Sequence, residues 1–222
     1  MQQGSKRKLD LYKQLRTAII TGQHLPGERL EVDDIRHYSG CSITLVREVL
    51  QMLSHEGLVT IKPRSGYFVR PMSLKELRDL LELREILETA AIAITVNLIS
   101  DDEIGRLESI HGAYTGDDNE SYSRYTDENR NFHTQLARAS GNDALADTLG
   151  QLLDRLARFM VIRRAGPELP DIHGKLLKKL RERDGEGAKE TLRQELDETR
   201  QSIFDRIMRE EGEHLLLGSR SE

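Results

Sequence analysis

Four polar side chains fall on helical faces whose other members are apolar. Tyr122, Tyr125, Asn129, Phe132, His133 and Leu136 recur at the three- and four-residue spacing of a single stripe, which turns Asn129 and His133 inward one turn apart. His173 shares a stripe with Leu176, Leu177 and Leu180, and Glu195 lies among Ala188, Leu192, Thr199 and Ile203. A buried polar group has to find a partner, a buried carboxylate most of all. One bound cation would satisfy all four together, and imidazole with carboxylate and amide oxygen suits zinc, nickel or manganese while hardly distinguishing them. The same residues can instead hydrogen-bond one another with no metal present, and the sequence leaves both readings open. Asp127 is no substitute ligand, because six residues separate it from His133.

These residues need helices to hold them, and the second half of the chain reads as helix throughout. Leu74 to Ile99 forms a long, broadly apolar helix behind a Ser73 cap, with Arg84 and Glu88 one turn apart. Further helices are expected near 101–114, 118–140, 143–165, 169–183 and 186–210, broken at Gly116, Gly141-Asn142, Gly166-Pro167 and Asp184-Gly185. Six helices without a strand pattern predict an antiparallel bundle. From about Glu211 the periodicity fades and a loose end is expected.

The amino-terminal part has a different grammar. Leu11, Leu15 and Ile19 mark a helix stopping near Gly22, Pro26-Gly27 makes a turn, and Val32, Ile35 and Ser39 trace a short helix ending at Gly40. Ser42 sits where an N-cap belongs. Val46, Val49, Leu50 and Leu53 line the buried face of a third helix, while Thr44, Arg47 and Gln51 repeat on a polar one. Gly57 closes it, and two strands follow: Val59 and Ile61 alternate with Thr60 and Lys62, then Tyr67 and Val69 with Phe68 and Arg70. Ser65-Gly66 forms the tip, from which Arg64 projects. This order is a winged helix-turn-helix, whose polar third helix is free to enter a major groove. The fold class expected is mostly α, with residues 1–72 as the winged domain and residues 73–222 as the helical domain.

Charge supports that division. The whole chain has a formal net charge of -5, yet residues 1–72 hold 11 Lys+Arg against 7 Asp+Glu, leaving 22 against 31 beyond them. A basic reader of +4 joined to an acidic body of -9 suits a phosphate-bearing partner at one end only. Lys6, Arg7 and Lys8 either touch a DNA backbone or fray in solvent. Cys41 is the only cysteine, which excludes an intramolecular disulfide and fits a reducing cytoplasm. Nothing resembles a signal peptide, and no apolar run reaches the ~18 residues of a membrane span.

The runs GQHLPGERL and GCSITLVREVLQMLSHEGLVTIKPRSGYFV resemble the GntR family of bacterial transcription regulators, over about residues 9 to 72. The all-helical remainder resembles the FadR-like subfamily with its FCD effector domain. The resemblance implies DNA contacts at Arg29, Ser42, Thr44, Arg47, Arg64 and Gly66. Arg47 can pair with guanine or grip a phosphate, and Gly66 lets the wing backbone approach the minor groove. Two positions depart from the family helix: Ile43 stands where Arg is usual and Leu45 where Pro is usual. Ile43 is expected to tuck against the domain core, the alternative being contact with a thymine methyl.

The resemblance also bears on the buried polar set. Many FCD domains hold a divalent metal with an Asp four residues before a His and two further His. His133 and His173 match two of these, whereas Asn129 replaces the Asp and Glu195 the last His, leaving the formal ligand charge unchanged. It implies a small carboxylate effector, for which Arg84 and Arg163 are candidate anchors; the plainer expectation for each is an ion pair such as Arg84 with Glu88. It further implies a homodimer on an inverted-repeat operator, usually repressing, and not an enzyme. A metal-dependent enzyme is disfavoured because no nucleophile, Gly-rich phosphate loop or paired acid/base motif is present. A winged helix used only for protein contacts is disfavoured by the charge split. A fatty acyl thioester effector would need a long apolar tunnel in place of the polar cluster.

Overall fold

A computed structural model describes residues 2–71, 73–110, 118–163 and 169–217, with side chains described except at 2–5, 119–120, 161–163, 169–170 and 210–217. The chain opens with α1 (Gln2–Ile20), β1 (Arg29–Leu30), α2 (Val32–Ser39), α3 (Ile43–His55), β2 (Val59–Lys62) and β3 (Gly66–Val69). Leu11, Leu15 and Ile19 of α1 pack with Ile35 of α2 and with Val46, Val49, Leu50 and Leu53 of α3. The strands form an antiparallel sheet in the order β1-β3-β2, with Val59 opposite Val69 and Lys62 opposite Gly66.

Helix α3 is closed at both ends by its own sequence. The Ser42 hydroxyl accepts the Leu45 amide at 3.3 Å. At the far end Gly57 takes a φ of 76°, so that its amide reaches Ser54 and the Leu58 amide reaches Leu53 at 2.9 Å. This paired closure needs a left-handed residue after the helix, which only glycine supplies cheaply.

The remainder is α4 (Leu74–Leu98), α5 (Asp101–Glu108), α6 (Asn119–Arg138), α7 (Asp143–Arg163), α8 (Leu169–Arg181) and α9 (Gly185–Leu217). The architecture is mostly α, a winged helix-turn-helix followed by an all-helical bundle. Ser73 caps α4 through the Glu76 amide, and Ser100 with Glu103 makes a reciprocal capping box that starts α5. The bundle has two apolar cores. One joins Ile92 and Val96 of α4 to Phe132 of α6, Leu176 and Leu180 of α8 and Leu192 of α9. The other joins Leu77, Leu80 and Leu81 of α4 to Leu149 and Leu156 of α7 and Ile203 of α9. Tyr122 of α6 and Ala157 of α7 complete the core of the winged part, so the two halves of the molecule are packed against each other.

Several expectations need correction. The sheet has a third strand beside the two expected, because Arg29-Leu30, just beyond the Pro26-Gly27 turn, pairs with Phe68-Tyr67. Ile61 is 44% exposed, since only the Val59 end of β2 lies over the core. Lys6 to Lys8 do not fray: they lie within α1, and Lys8 pairs with Glu48 of α3 at 2.8 Å. Helix α9 continues past Glu211 to Leu217. Gly116, Gly166 and Pro167 lie outside the described residues.

A Cβ at position 57 would stand 3.0 Å from Arg155 Cγ and 3.2 Å from Arg70 Nη1, in a backbone conformation that already disfavours it. Gly57→Ala should therefore lower stability by roughly 1–2 kcal/mol, read as a depressed midpoint in thermal or urea unfolding. An unchanged midpoint would mean that the joint between α3 and the wing relaxes freely.

Candidate functional site

The outward edge of α3 carries Ser42, Thr44, Arg47 and Gln51, all exposed. Arg64 stands exposed at the wing tip with a φ of 61°. Arg29 is brought to the same wing by the β1–β3 pairing, and its Nε lies 3.4 Å from where a Cβ on Gly66 would be. Arg29 also pairs with Glu31 at 3.1 Å. Lys62 sits 4.5 Å above the Phe68 ring, a cation–π contact on the same wing. Ile43 departs from expectation: it is 41% exposed, because the first residue beyond the Ser42 cap points away from the core packed by Val46 and Val49. Cys41 packs half-buried against that core, as expected of a small apolar residue.

Inside the bundle Asn129, His133, His173 and Glu195 are all within 2% of complete burial. His133, His173 and Glu195 converge between the two apolar cores, and Asn129 lies buried one turn before His133 on α6. Glu195 Oε1 lies 3.2 Å from Nε2 of both His133 and His173. These three residues offer ligand atoms within 4.8 Å of one another. The His173 ring stacks on Phe132 with centroids 3.9 Å apart, which sets its plane.

Two further residues belong to this cluster. Arg84 is fully buried; its Nε donates to Glu88 Oε1 at 2.6 Å and its Nη2 lies 3.0 Å from His133 Nε2. Glu88 Oε2 stands 2.7 Å from His133 Nδ1, out of line for a hydrogen bond and so an ion pair. The expected Arg84–Glu88 pair thus exists, but at the centre of the molecule. Sequence reading found Glu88 only as a neighbour of Arg84; its spacing from Leu81 and Ile92 on the inward stripe was the available signal. The Arg163 side chain lies outside the described residues.

The charges sort themselves by proximity. Burial alone would push the His133 imidazole down, but Glu88 and Glu195 overcome it and raise it to about 9. Burial likewise opposes ionisation of Glu195, and the two imidazoles outweigh it, holding the carboxyl well below its usual range. Burial lowers His173. Glu88 is held low by Arg84 and His133 against the cost of its burial.

The donor set fits a divalent cation. Asn129 Oδ1, Glu195 Oε2 and Thr199 Oγ1 are buried atoms without a hydrogen-bond partner among the described residues, which marks unused acceptor capacity at the cluster. Glu88 places a counter-charge beside Nδ1 of His133, which leaves Nε2 as the nitrogen that faces Glu195 and the cluster. Arg84 approaches the inner nitrogen of that ring, so it and an ion bound there would compete.

A winged helix-turn-helix joined to an all-helical bundle is the architecture of a DNA-binding regulator. The comparisons agree. The model of the FCD domain matches residues 79–198 and that of the gntR family of bacterial regulatory proteins matches residues 7–69. This chain belongs to the gntR family and carries an FCD domain; it is a transcriptional regulator and not an enzyme. It is 25% identical to the HTH-type transcriptional repressor RspR of Escherichia coli (strain K12) over 201 residues, 87% of either chain. It is 28% identical to the repressor GlaR of the same organism over 159 residues, covering 69% of this chain and 72% of that one. Among solved structures, E. coli McbR/YncC superposes with a TM-score of 0.73 at 22% identity, over 90% of this chain and 98% of that one, and shows the same fold.

Removing one member of a buried charge network strands the others. Glu88→Ala should destabilise the fold by about 3–5 kcal/mol in urea unfolding, because Arg84 and His133 lose their shared counter-charge. A loss below about 1 kcal/mol would show that the cluster is not ionised as drawn.

Proposed function

We propose that the chain is a repressor that binds an inverted-repeat operator as a homodimer and responds to a small carboxylate held in the bundle. In this reading residues 1–72 are the DNA reader, and residues 73–222 form the effector-binding and dimerisation domain. The observation that carries it is the exposed polar edge of α3 set beside the wing, with Arg47 and Arg64 outward and a net charge of +4 confined to that end. Arg47 would meet a guanine edge or a phosphate, with Ser42 and Thr44 beside it. Arg29, Arg64 and the backbone at Gly66 follow the adjacent groove. Ile43 replaces a charged contact with an apolar one, which suits a thymine methyl. Repression is supported by the names of RspR and GlaR.

Asn129, His133, His173 and Glu195 are the residues that would hold a zinc, nickel or manganese ion. Such an ion supplies open coordination positions for a carboxylate. Arg84 is the residue that would anchor the other end of that anion, its guanidinium being already at the cluster and matched in shape to a carboxylate. A charged, hydrogen-bonding cluster of this kind favours a small organic acid over an acyl thioester, which asks for an apolar tunnel. The effector acts only if it binds one arrangement of reader and bundle better than another.

Arg47→Ala should remove protection of the chain's own upstream DNA in footprinting and leave the far-ultraviolet circular dichroism unchanged. Full protection by the variant would refute the docking of α3. Elemental analysis of protein purified without chelator should find about one zinc, nickel or manganese per chain, lost in His133→Ala. Metal-free protein, or equal metal in the variant, would remove the ion from the proposal.

A further inference from the structure

Arg16 of α1 is 5% exposed although it is charged, and it is surrounded by carboxylates from three helices. Its Nη1 donates to Asp127 of α6 at 2.6 Å, its Nε lies 3.7 Å from Glu56, and its Nη2 lies 3.9 Å from Asp154 of α7. Glu56 is the residue that ends α3. Asp154 is in turn held by Arg130 of α6 through Nε at 2.5 Å and Nη2 at 2.8 Å. At the next residue of α1, the hydroxyls of Thr17 and of Ser123 on α6 meet at 3.2 Å. These side chains line a cleft of about 590 Å³ between α1 and the bundle.

Helix α6 therefore faces two ways. Asn129 and His133 enter the buried polar cluster, whereas Asp127 and Arg130, two residues before and one after Asn129, enter this cleft. We infer that Arg16 is a clamp by which α6 sets the orientation of the winged helix on the bundle, holding the two readers of a dimer at the spacing of their half-sites. The inference rests on the proposal above that a dimer reads an inverted repeat. Arg16 joins the end of α3 directly to α6, so a shift of α6 reaches α3 without passing through the chain connection at residues 70–73. One charge-assisted hydrogen bond, to Asp127, and two longer ion pairs made by a buried guanidinium resist reorientation in a way that an apolar seam, free to slide, does not.

The clamp can be opened from its exposed side. Asp127 has a side chain 54% exposed and is outside both the α3 edge and the buried cluster, so Asp127→Asn and Asp127→Arg should fold. Fluorescence anisotropy should show both variants binding a duplex with two half-sites about tenfold more weakly than wild type, the factor one charge-assisted hydrogen bond can supply. A duplex with a single half-site should be bound within about twofold of wild type, since Arg47 and the wing are untouched. Unchanged affinity for the inverted repeat, or an equal loss on the single half-site, would overturn the clamp. Amide hydrogen exchange needs no DNA: α1 should exchange several-fold faster in Asp127→Arg, and unchanged exchange overturns the inference by itself. Failure of the wild-type protein to protect any duplex, with α1 nevertheless loosened in the variant, would count against the DNA reading and leave the clamp standing.

Discussion

A carboxylate taken out of water costs several kcal/mol unless positive charge stands beside it. Glu88 and Glu195 are 3% and 2% exposed, and the whole bundle is arranged so that this cost is met. Arg84 and Glu88 come from α4, His133 from α6, His173 from α8 and Glu195 from α9, each within about a hydrogen bond of its counter-charge. Apolar contacts between helices tolerate small slips, because one methyl replaces another at similar cost. Ion pairs at 2.6 to 3.2 Å do not, so the register of four helices is fixed by one cluster. The same cluster divides the apolar interior in two and leaves Asn129, Glu195 and Thr199 with acceptor capacity to spare.

The distribution of labour along α6 follows from its periodicity. Residues three and four apart share a face, and those one or two apart do not. Asn129 and His133 are consequently committed to the interior, while Asp127 and Arg130 are free to hold α1 and α7. A helix with so few apolar residues would not persist alone; here Ser123 and Asp127 hold α1, Arg130 and Arg138 hold α7, and His133 holds α4 and α9. The interior contacts and the contacts to the winged half are thus made by one rigid body.

Much of this was legible in the residues. Periodicity located the third helix with its Ser42 cap and Gly57 closure, and it selected Asn129, His133, His173 and Glu195 as inward-facing. Strand β1 escaped because two residues are too few to show alternation, and it forms only because β3 offers an edge. Residue type suggests burial for Ile43 and strand alternation suggests it for Ile61, and both prove exposed because their positions lie beyond the core. Glu88 was missed as part of the cluster since a local rule, an acid one turn from a base, already explained it. Arg16 carried no local signal; its partners Asp127 and Asp154 are more than a hundred residues away in the chain, a pairing only the folded structure reveals.

Helix α4 is 25 residues long and contributes at both ends. Glu76, near its start, holds Arg70 at the base of the wing at 2.7 Å and also meets Arg155 of α7; Glu88 lies three turns further on, at the centre of the buried cluster. At 1.5 Å per residue those two carboxylates are about 18 Å apart along a stiff rod. Pivoting such a rod by about 5° at the inner carboxylate carries the outer one sideways by roughly 1.5 Å, half the length of a hydrogen bond. The wing is thereby tethered to a lever whose fulcrum is a buried carboxylate at the heart of the bundle, and angular adjustments too small to disturb the fulcrum are enough to release the tether.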